Sequence, residues 1–72
     1  MKYFLVSVFC KADGQFLFQA VKVATEQNLP TAQEVDKNLR AITPRNYESV
    51  HITAFSEFPD LNTYKNFQTK IL

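Results

Sequence analysis

The sequence predicts an α+β fold of the ββαβ type, with a three-stranded antiparallel sheet in the order 2-1-3 and a short C-terminal helix. Three features support this prediction: two strand-like runs joined by an Asp-Gly pair, a capped amphipathic segment, and a third alternating run after Pro44. The preference for right-handed crossovers favours the first strand at the centre of the sheet. Its apolar residues on both faces suit that position.

The first 24 residues predict a β-hairpin that turns at Asp13-Gly14. Residues 3–10 and 16–23 are rich in aromatic and β-branched side chains, which favour strands. An Asp-Gly pair between such runs favours a type I′ turn, because that turn needs positive φ at both central residues. Gly14 is the one glycine in the chain, and it stands where this demand falls.

A two-residue loop predicts which side chains share a face of the sheet. It pairs Ala12 with Gln15 and Val6 with Val21. One face is then aliphatic and contains Phe4, Val6, Val8, Cys10, Leu17, Gln19, Val21 and Val23. The other face is aromatic and contains Tyr3, Leu5, Ser7, Phe9, Phe16, Phe18, Ala20 and Lys22. A slip of one residue exchanges whole faces and would move Lys22 among the aliphatic residues, so the pattern favours this register.

The segment after the hairpin predicts a helix over residues 32–42. Thr31 followed by Glu34 fits a capping box, in which two side chains satisfy free amides of the first turn. Pro44 ends the helix, because proline disfavours helical backbone in the residue before it. The predicted sheet-facing residues recur at spacings of three and four and include Ala32, Val35, Asn38, Leu39 and Ile42.

A third strand is predicted from about Glu48 to Phe58, after a loop that contains Tyr47. Simple alternation assigns one set of its residues to the aliphatic face: Val50, Ile52, Ala54 and Phe58. The same alternation assigns the other set to the aromatic face: His51, Thr53, Phe55 and Glu57.

Asp60 is predicted to cap a short second helix after Pro59 ends the strand. Apolar residues then recur at helical spacing: Leu61, Tyr64, Phe67 or Gln68, and Ile71. Isolated helices below ~12–15 residues are marginal in water, so this one needs an apolar surface to lie on. The candidates are the aromatic face of the sheet and a neighbouring subunit.

Length and composition predict one small domain without covalent or metal support. A chain of 72 residues buries only ~60% of the surface that it exposes when unfolded. One cysteine cannot form an internal disulfide, and one histidine does not suggest a structural metal. Small scaffolds of this kind depend on tight packing or self-association. The net charge of +1 gives no strong attraction to nucleic acid, anionic membranes or acidic substrates.

The N-terminal apolar run is interpreted as a strand, although Met1-Lys2 before it superficially resembles a secretion signal. Such signals end in small residues at the cleavage site, whereas Phe9 precedes Cys10. No apolar stretch approaches the ~20 residues of a membrane-spanning helix. Since the chain has a lone cysteine and no export signal, we expect it in the reducing cytoplasm.

The residues do not predict an enzyme. Cys10 and His51 are the one pair that suggests nucleophilic catalysis, but the register places them on opposite faces of the sheet. The seven carboxylates are scattered over turn, cap and surface positions, and a chain with one glycine lacks a phosphate-binding loop. We therefore expect no catalytic residues, no cofactor, no metal site and no small-molecule substrate.

The aromatic face is the candidate partner-binding surface, and its predicted contact residues are Tyr3, Phe9, Phe18, Lys22, His51 and Phe55. Three roles remain open for it. It could form a second small core under the C-terminal helix. It could bind a protein partner or a second copy by face-to-face packing. It could also stack single-stranded bases, as some sheets do.

Three basic residues form a candidate phosphate-binding cluster at the end of the predicted first helix: Lys37, Arg40 and Arg45. A structural role also explains them, because cations near a helix C-terminus complement the helix dipole. Binding of nucleic acid is therefore the alternative to binding of protein.

The segment Met1–Ser7, which enters a hairpin with a turn at Gly14, resembles short uncharacterised proteins encoded by bacterial phages and mobile elements. The resemblance covers the strand–hairpin–helix–strand arrangement of residues 1–58; Gln15-Phe16 stands where those proteins often have a Gly-Phe pair. It implies no active site. It implies a small accessory protein, for example an inhibitor of host defence, that binds a host or phage macromolecule.

Overall fold

The central strand of the protein is β1, and it forms antiparallel ladders with a strand on each side. The computed structural model describes residues 1–67. The elements in chain order are β1 (Lys2–Ala12), β2 (Gln15–Thr25), α1 (Ala32–Ile42), β3 (Tyr47–Glu57) and α2 (Leu61–Asn66). The sheet order is β2-β1-β3, so the predicted α+β class and strand order are confirmed. None of the helices within residues 1–67 has the length and hydrophobicity needed to cross a membrane.

The hairpin has the predicted turn and register. Asp13 has φ of 53° and Gly14 has φ of 78°, as a type I′ turn requires. Ala12 pairs with Gln15, and the pairing continues without interruption to Lys2 and Thr25 at the other end. The Asp-Gly pair therefore fixes the face of every side chain in β1 and β2.

The hydrophobic core lies between the even-numbered face of β1 and helix α1. Its members are Phe4, Val6, Val8, Cys10, Ala12, Val21, Val23, Val35, Leu39 and Tyr47. The odd-numbered residues of β1 from Tyr3 to Lys11 are half-buried. The predicted division of the hairpin into an aliphatic, helix-covered face and an aromatic face is confirmed.

Helix α1 begins with the predicted capping box. Thr31 accepts a hydrogen bond from the backbone N–H of Glu34, whose carboxylate accepts one from the backbone N–H of Thr31. The buried residues of the helix are Val35 and Leu39. The prediction that Ile42 faces the sheet is wrong, since its side chain is 57% exposed, and Ala32 at the other end of the helix is exposed too.

Strand β3 departs from simple alternation because its register with β1 shifts twice. Ile52 lies opposite Val8, but Phe55 lies opposite Val6, so Thr53 is the extra residue of a β-bulge. A second shift places Tyr47 opposite Ala12, in the core rather than in a loop.

The bulge exchanges the faces of the residues that follow it. Cross-strand partners share a face, so Phe55 and Glu57 lie on the side of helix α1, whereas Ala54 lies on the aromatic side opposite Ser7. The predicted face is therefore wrong for Ala54, Phe55 and Glu57. It is also wrong for Phe58, whose ring packs against Tyr64 on the aromatic side. It is right for Val50, His51 and Ile52, which precede the bulge.

Asp60 caps the short helix α2, as predicted, and accepts a hydrogen bond from the backbone N–H of Thr63 at 2.7 Å. The helix ends at Asn66, and Phe67 is its C-cap. Gln68 and Ile71, which the sequence places on the apolar face of this helix, lie outside the described residues.

Candidate interaction surface

Helix α2 covers one end of the aromatic face. The ring of Tyr64 lies 4.8 Å from that of Tyr3, and the ammonium of Lys22 lies 4.7 Å from the centre of the Tyr64 ring. Lys22 also donates a hydrogen bond to the carbonyl of Phe67 at 2.9 Å. Phe58 packs against the rings of Tyr64 and Phe67, at 5.6 and 5.3 Å. These contacts form a small, half-buried aromatic cluster and raise the pKa of Tyr64, mainly through burial.

The other end of the same face, next to the hairpin turn, carries three phenylalanine rings that we call the phenylalanine patch: Phe9, Phe16 and Phe18. Phe9 lies parallel to Phe16 with ring centres 5.4 Å apart, and 4.7 Å from the tilted ring of Phe18. Phe16 is 64% exposed and Phe18 is 76% exposed. The patch exists because the turn register sets Phe18 directly opposite Phe9, and Phe16 opposite Lys11, the next residue of β1 on the same face.

Polar and basic groups border the phenylalanine patch. The ammonium of Lys11 lies 5.5 Å from the centre of the Phe16 ring and 3.4 Å from the carboxylate of Glu48. His51 is exposed and lies opposite Phe9 on β3. An apolar centre with a polar rim is the usual arrangement of a protein contact surface.

Phe55 does not belong to the phenylalanine patch, contrary to the prediction from alternation. Its ring lies edge-to-face with that of Phe4, at 6.4 Å, on the side of the sheet that carries helix α1. The side chain is 41% exposed there. The cause is the bulge at Thr53, which has no recognisable residue signature.

The predicted phosphate-binding residues lie away from the phenylalanine patch. Arg40 pairs with Asp36 at 2.9 Å and lies 5.2 Å from the centre of the Tyr47 ring. Lys37 belongs to the same helix, on the opposite side of the sheet from the phenylalanine patch, and Arg45 follows that helix.

A shallow groove of about 400 Å³ lies between α1 and β3. Its lining residues are Ala32, Gln33, Asp36, Arg40, Tyr47, Glu48, Ser49 and Val50. Asp36 in the groove pairs with Arg40, and Glu48 at its edge pairs with Lys11 of β1. The groove therefore offers no excess charge to a ligand.

Cys10 and His51 lie on opposite faces, so they cannot share a proton. Cys10 is fully buried beneath α1, and burial raises the pKa of its thiol against a smaller opposing effect of Arg45. Among residues 1–67, no three His, Cys, Asp or Glu side chains come close enough together to hold a metal ion.

No protein-family model, curated protein or solved structure matches the chain.

The structure adds Phe16 and Lys11 to the candidate contact residues. Both lie on the aromatic face because of the turn register, which pairs Lys11 with Phe16.

Proposed function

We propose that this protein is a non-catalytic protein-binding module that self-associates through the phenylalanine patch. The observation that supports the proposal is the exposure of Phe16 and Phe18, 64% and 76%, beside Phe9. Helix α2 covers the opposite end of the face and leaves this one open to solvent. Clustered apolar residues on a surface commonly mark an interaction site.

The energetic motive is the small size of the chain. Ten hydrophobic residues form the buried core, and the described residues contain no disulfide or metal cluster. Removing a phenylalanine side chain from water contributes roughly 1.5–3 kcal/mol. Burial of Phe16 and Phe18 against a partner therefore yields an amount comparable to a large part of the stability of a small domain.

The proposed setting is the reducing cytoplasm, since the thiol of Cys10 is unpaired and small extracellular domains usually rely on disulfides. The resemblance to small phage-encoded proteins extends the proposal to a heterologous target. In that case a host or phage macromolecule, for example a component of host defence, is the second partner.

Light scattering coupled to size-exclusion chromatography tests the self-association. We expect a concentration-dependent dimer for the wild type. In the double variant Phe16→Ser/Phe18→Ser, the dissociation constant should rise by at least about 100-fold, because four apolar rings leave each interface. The matched control is Leu29→Ser/Ile42→Ser, which removes two exposed apolar side chains at other places on the surface. A wild type that stays monomeric at all concentrations contradicts the proposal.

A second candidate is a single-stranded nucleic-acid-binding protein, favoured by Lys11 and Lys22 on the face that carries the exposed rings. Aromatic side chains stack bases, and lysines neutralise phosphates. This candidate predicts binding of labelled oligonucleotides that weakens steeply as salt is added. Flat anisotropy titrations at low salt would exclude it.

A further inference from the structure

We propose that the second copy docks by antiparallel pairing of its strand β2 with strand β2 of the first copy, which joins the two sheets into one of six strands. This inference rests on the proposed self-association and specifies its geometry. A two-fold axis perpendicular to the sheet then places the two phenylalanine patches on the same face of the joined sheet.

The turn determines which backbone groups of β2 point away from β1. In a two-residue hairpin the pair that flanks the loop, here Ala12 and Gln15, is hydrogen-bonded, and such pairs alternate along the ladder. The N–H and C=O groups that point outward on β2 therefore belong to Phe16, Phe18, Ala20, Lys22 and Ala24. The exposed rings and the free backbone groups belong to the same residues.

Observed hydrogen bonds on the other side of β1 agree with this alternation. The carbonyl of Tyr3 accepts a bond from the N–H of Phe58 at 2.7 Å, and that of Ser7 accepts one from the hydroxyl of Thr53 at 3.0 Å. Odd-numbered residues of β1 thus direct their backbone groups toward β3. Their partners on β2 are left with outward-pointing groups.

The two edges of the sheet differ in their protection. Strand β3 has register shifts at Glu48 and Thr53, and bulges discourage the pairing of edges. Strand β2 pairs with β1 without a shift along all 11 residues and contains no proline. Within residues 1–67 nothing pairs with its outer edge. The unprotected edge is therefore the one beside the exposed rings.

Charge along β2 is compatible with its own copy. Lys22 is the one charged residue between Gln15 and Thr25, so the strand cannot bring like charges together unless Lys22 faces Lys22. A two-fold axis at Gln19 sets Lys22 opposite Phe16 of the other copy. An axis at Ala20 sets it opposite Phe18.

The interface draws its area from the exposed rings and from the paired edges. A phenylalanine side chain buries roughly 150–250 Å², so the exposed parts of Phe16 and Phe18 in two copies supply at most roughly 400–700 Å², because rings that stand upright on a continuous sheet contact the partner with their flanks. Stable interfaces bury about 1,200–2,000 Å² in total. The two paired edges, with 11 residues in each strand, supply the remainder.

Disulfide trapping tests the geometry. Gln19→Cys and Ala20→Cys report the two registers, because residues on the axis of an antiparallel pair have Cα atoms about 4.5–5.5 Å apart, within disulfide reach. Sheets packed face to face are separated by about 10 Å, which is too far. Thr53→Cys on the exposed part of β3 is the matched control, and native Cys10 is buried. We expect rapid covalent dimer formation in one of the two β2 variants. We expect none in Thr53→Cys or in the wild type.

Ala20→Pro supplies a second, independent measurement. It removes an N–H that points outward and makes no bond within the monomer, so circular dichroism should stay native while the dimer weakens roughly tenfold or more. A dimer that forms no disulfide at residue 19 or 20 and tolerates Ala20→Pro overturns edge pairing but leaves self-association standing. A disulfide in Thr53→Cys instead would place the interface at β3 and also overturn it. A strict monomer contradicts both proposals.

Discussion

The carboxylate of Glu34 accepts a hydrogen bond from the hydroxyl of Thr25, with 2.9 Å between the two oxygens, and so joins the end of β2 to the first turn of α1. The same carboxylate oxygen accepts a bond from the backbone N–H of Thr31, also at 2.9 Å. These bonds lower the pKa of Glu34, the Thr31 N–H most and the Thr25 hydroxyl next, against a smaller opposing effect of burial.

We expect the free energy of unfolding to fall less at acid pH in Glu34→Gln than in the wild type. The folded-state pKa of Glu34 lies below the unfolded value of about 4.3, so the charged carboxylate stabilises the fold above that pH. This stabilisation is lost as the pH falls through the lowered folded-state pKa. Urea unfolding between pH 7 and about pH 2 should show a shallower decline below about pH 4 in the variant. Glu26→Gln in the exposed connection is the control, and equal slopes in all three proteins would contradict the prediction.

Leu39→Ala should destabilise the fold far more than Ile42→Ala. Leu39 is fully buried between α1 and the sheet, whereas Ile42 is 57% exposed. Truncating a buried leucine costs about 2–5 kcal/mol of unfolding free energy, and a surface substitution usually changes it by less than about 0.5 kcal/mol. Denaturant unfolding monitored by circular dichroism provides the comparison. A loss for Ile42→Ala as large as that for Leu39→Ala would show that the last turn of α1 is packed.

Cys10 should react slowly with a thiol reagent in the native protein and rapidly after unfolding. The side chain is fully buried, and burial raises the pKa of the thiol, so little reactive thiolate is accessible. Thr53→Cys places a thiol at an exposed position and should react rapidly in the native state. Fast native labelling of Cys10 in the wild type would reopen the possibility of a nucleophilic role.

The sequence predicts the hairpin and helix α1 well because local chemistry determines both. Asp13-Gly14 specifies the turn and hence the register, and the capping box specifies where α1 begins. The register of strand β3 does not follow from local sequence. Its bulge at Thr53 depends on how an edge strand twists against β1, and no residue type marks it.

The candidate surface shows the same division between local and tertiary information. The turn register places the exposed rings of Phe16 and Phe18 on the aromatic face, although the predicted contact residues include Phe18 and not Phe16. How far α2 extends over the face depends on tertiary contacts of Tyr64 with Tyr3 and Lys22. Periodicity predicts which side of a helix is apolar, but not where along the sheet that side comes to lie.

The extra residue in β3 also changes how the strand can be engineered. A charged substitution at His51 points to the open aromatic side of the sheet. Phe55 is also an odd-numbered residue, but it follows the bulge, so a charge there lies beside the buried ring of Phe4. In a redesign of this strand, the alternation of faces therefore has to be assigned separately before and after Thr53.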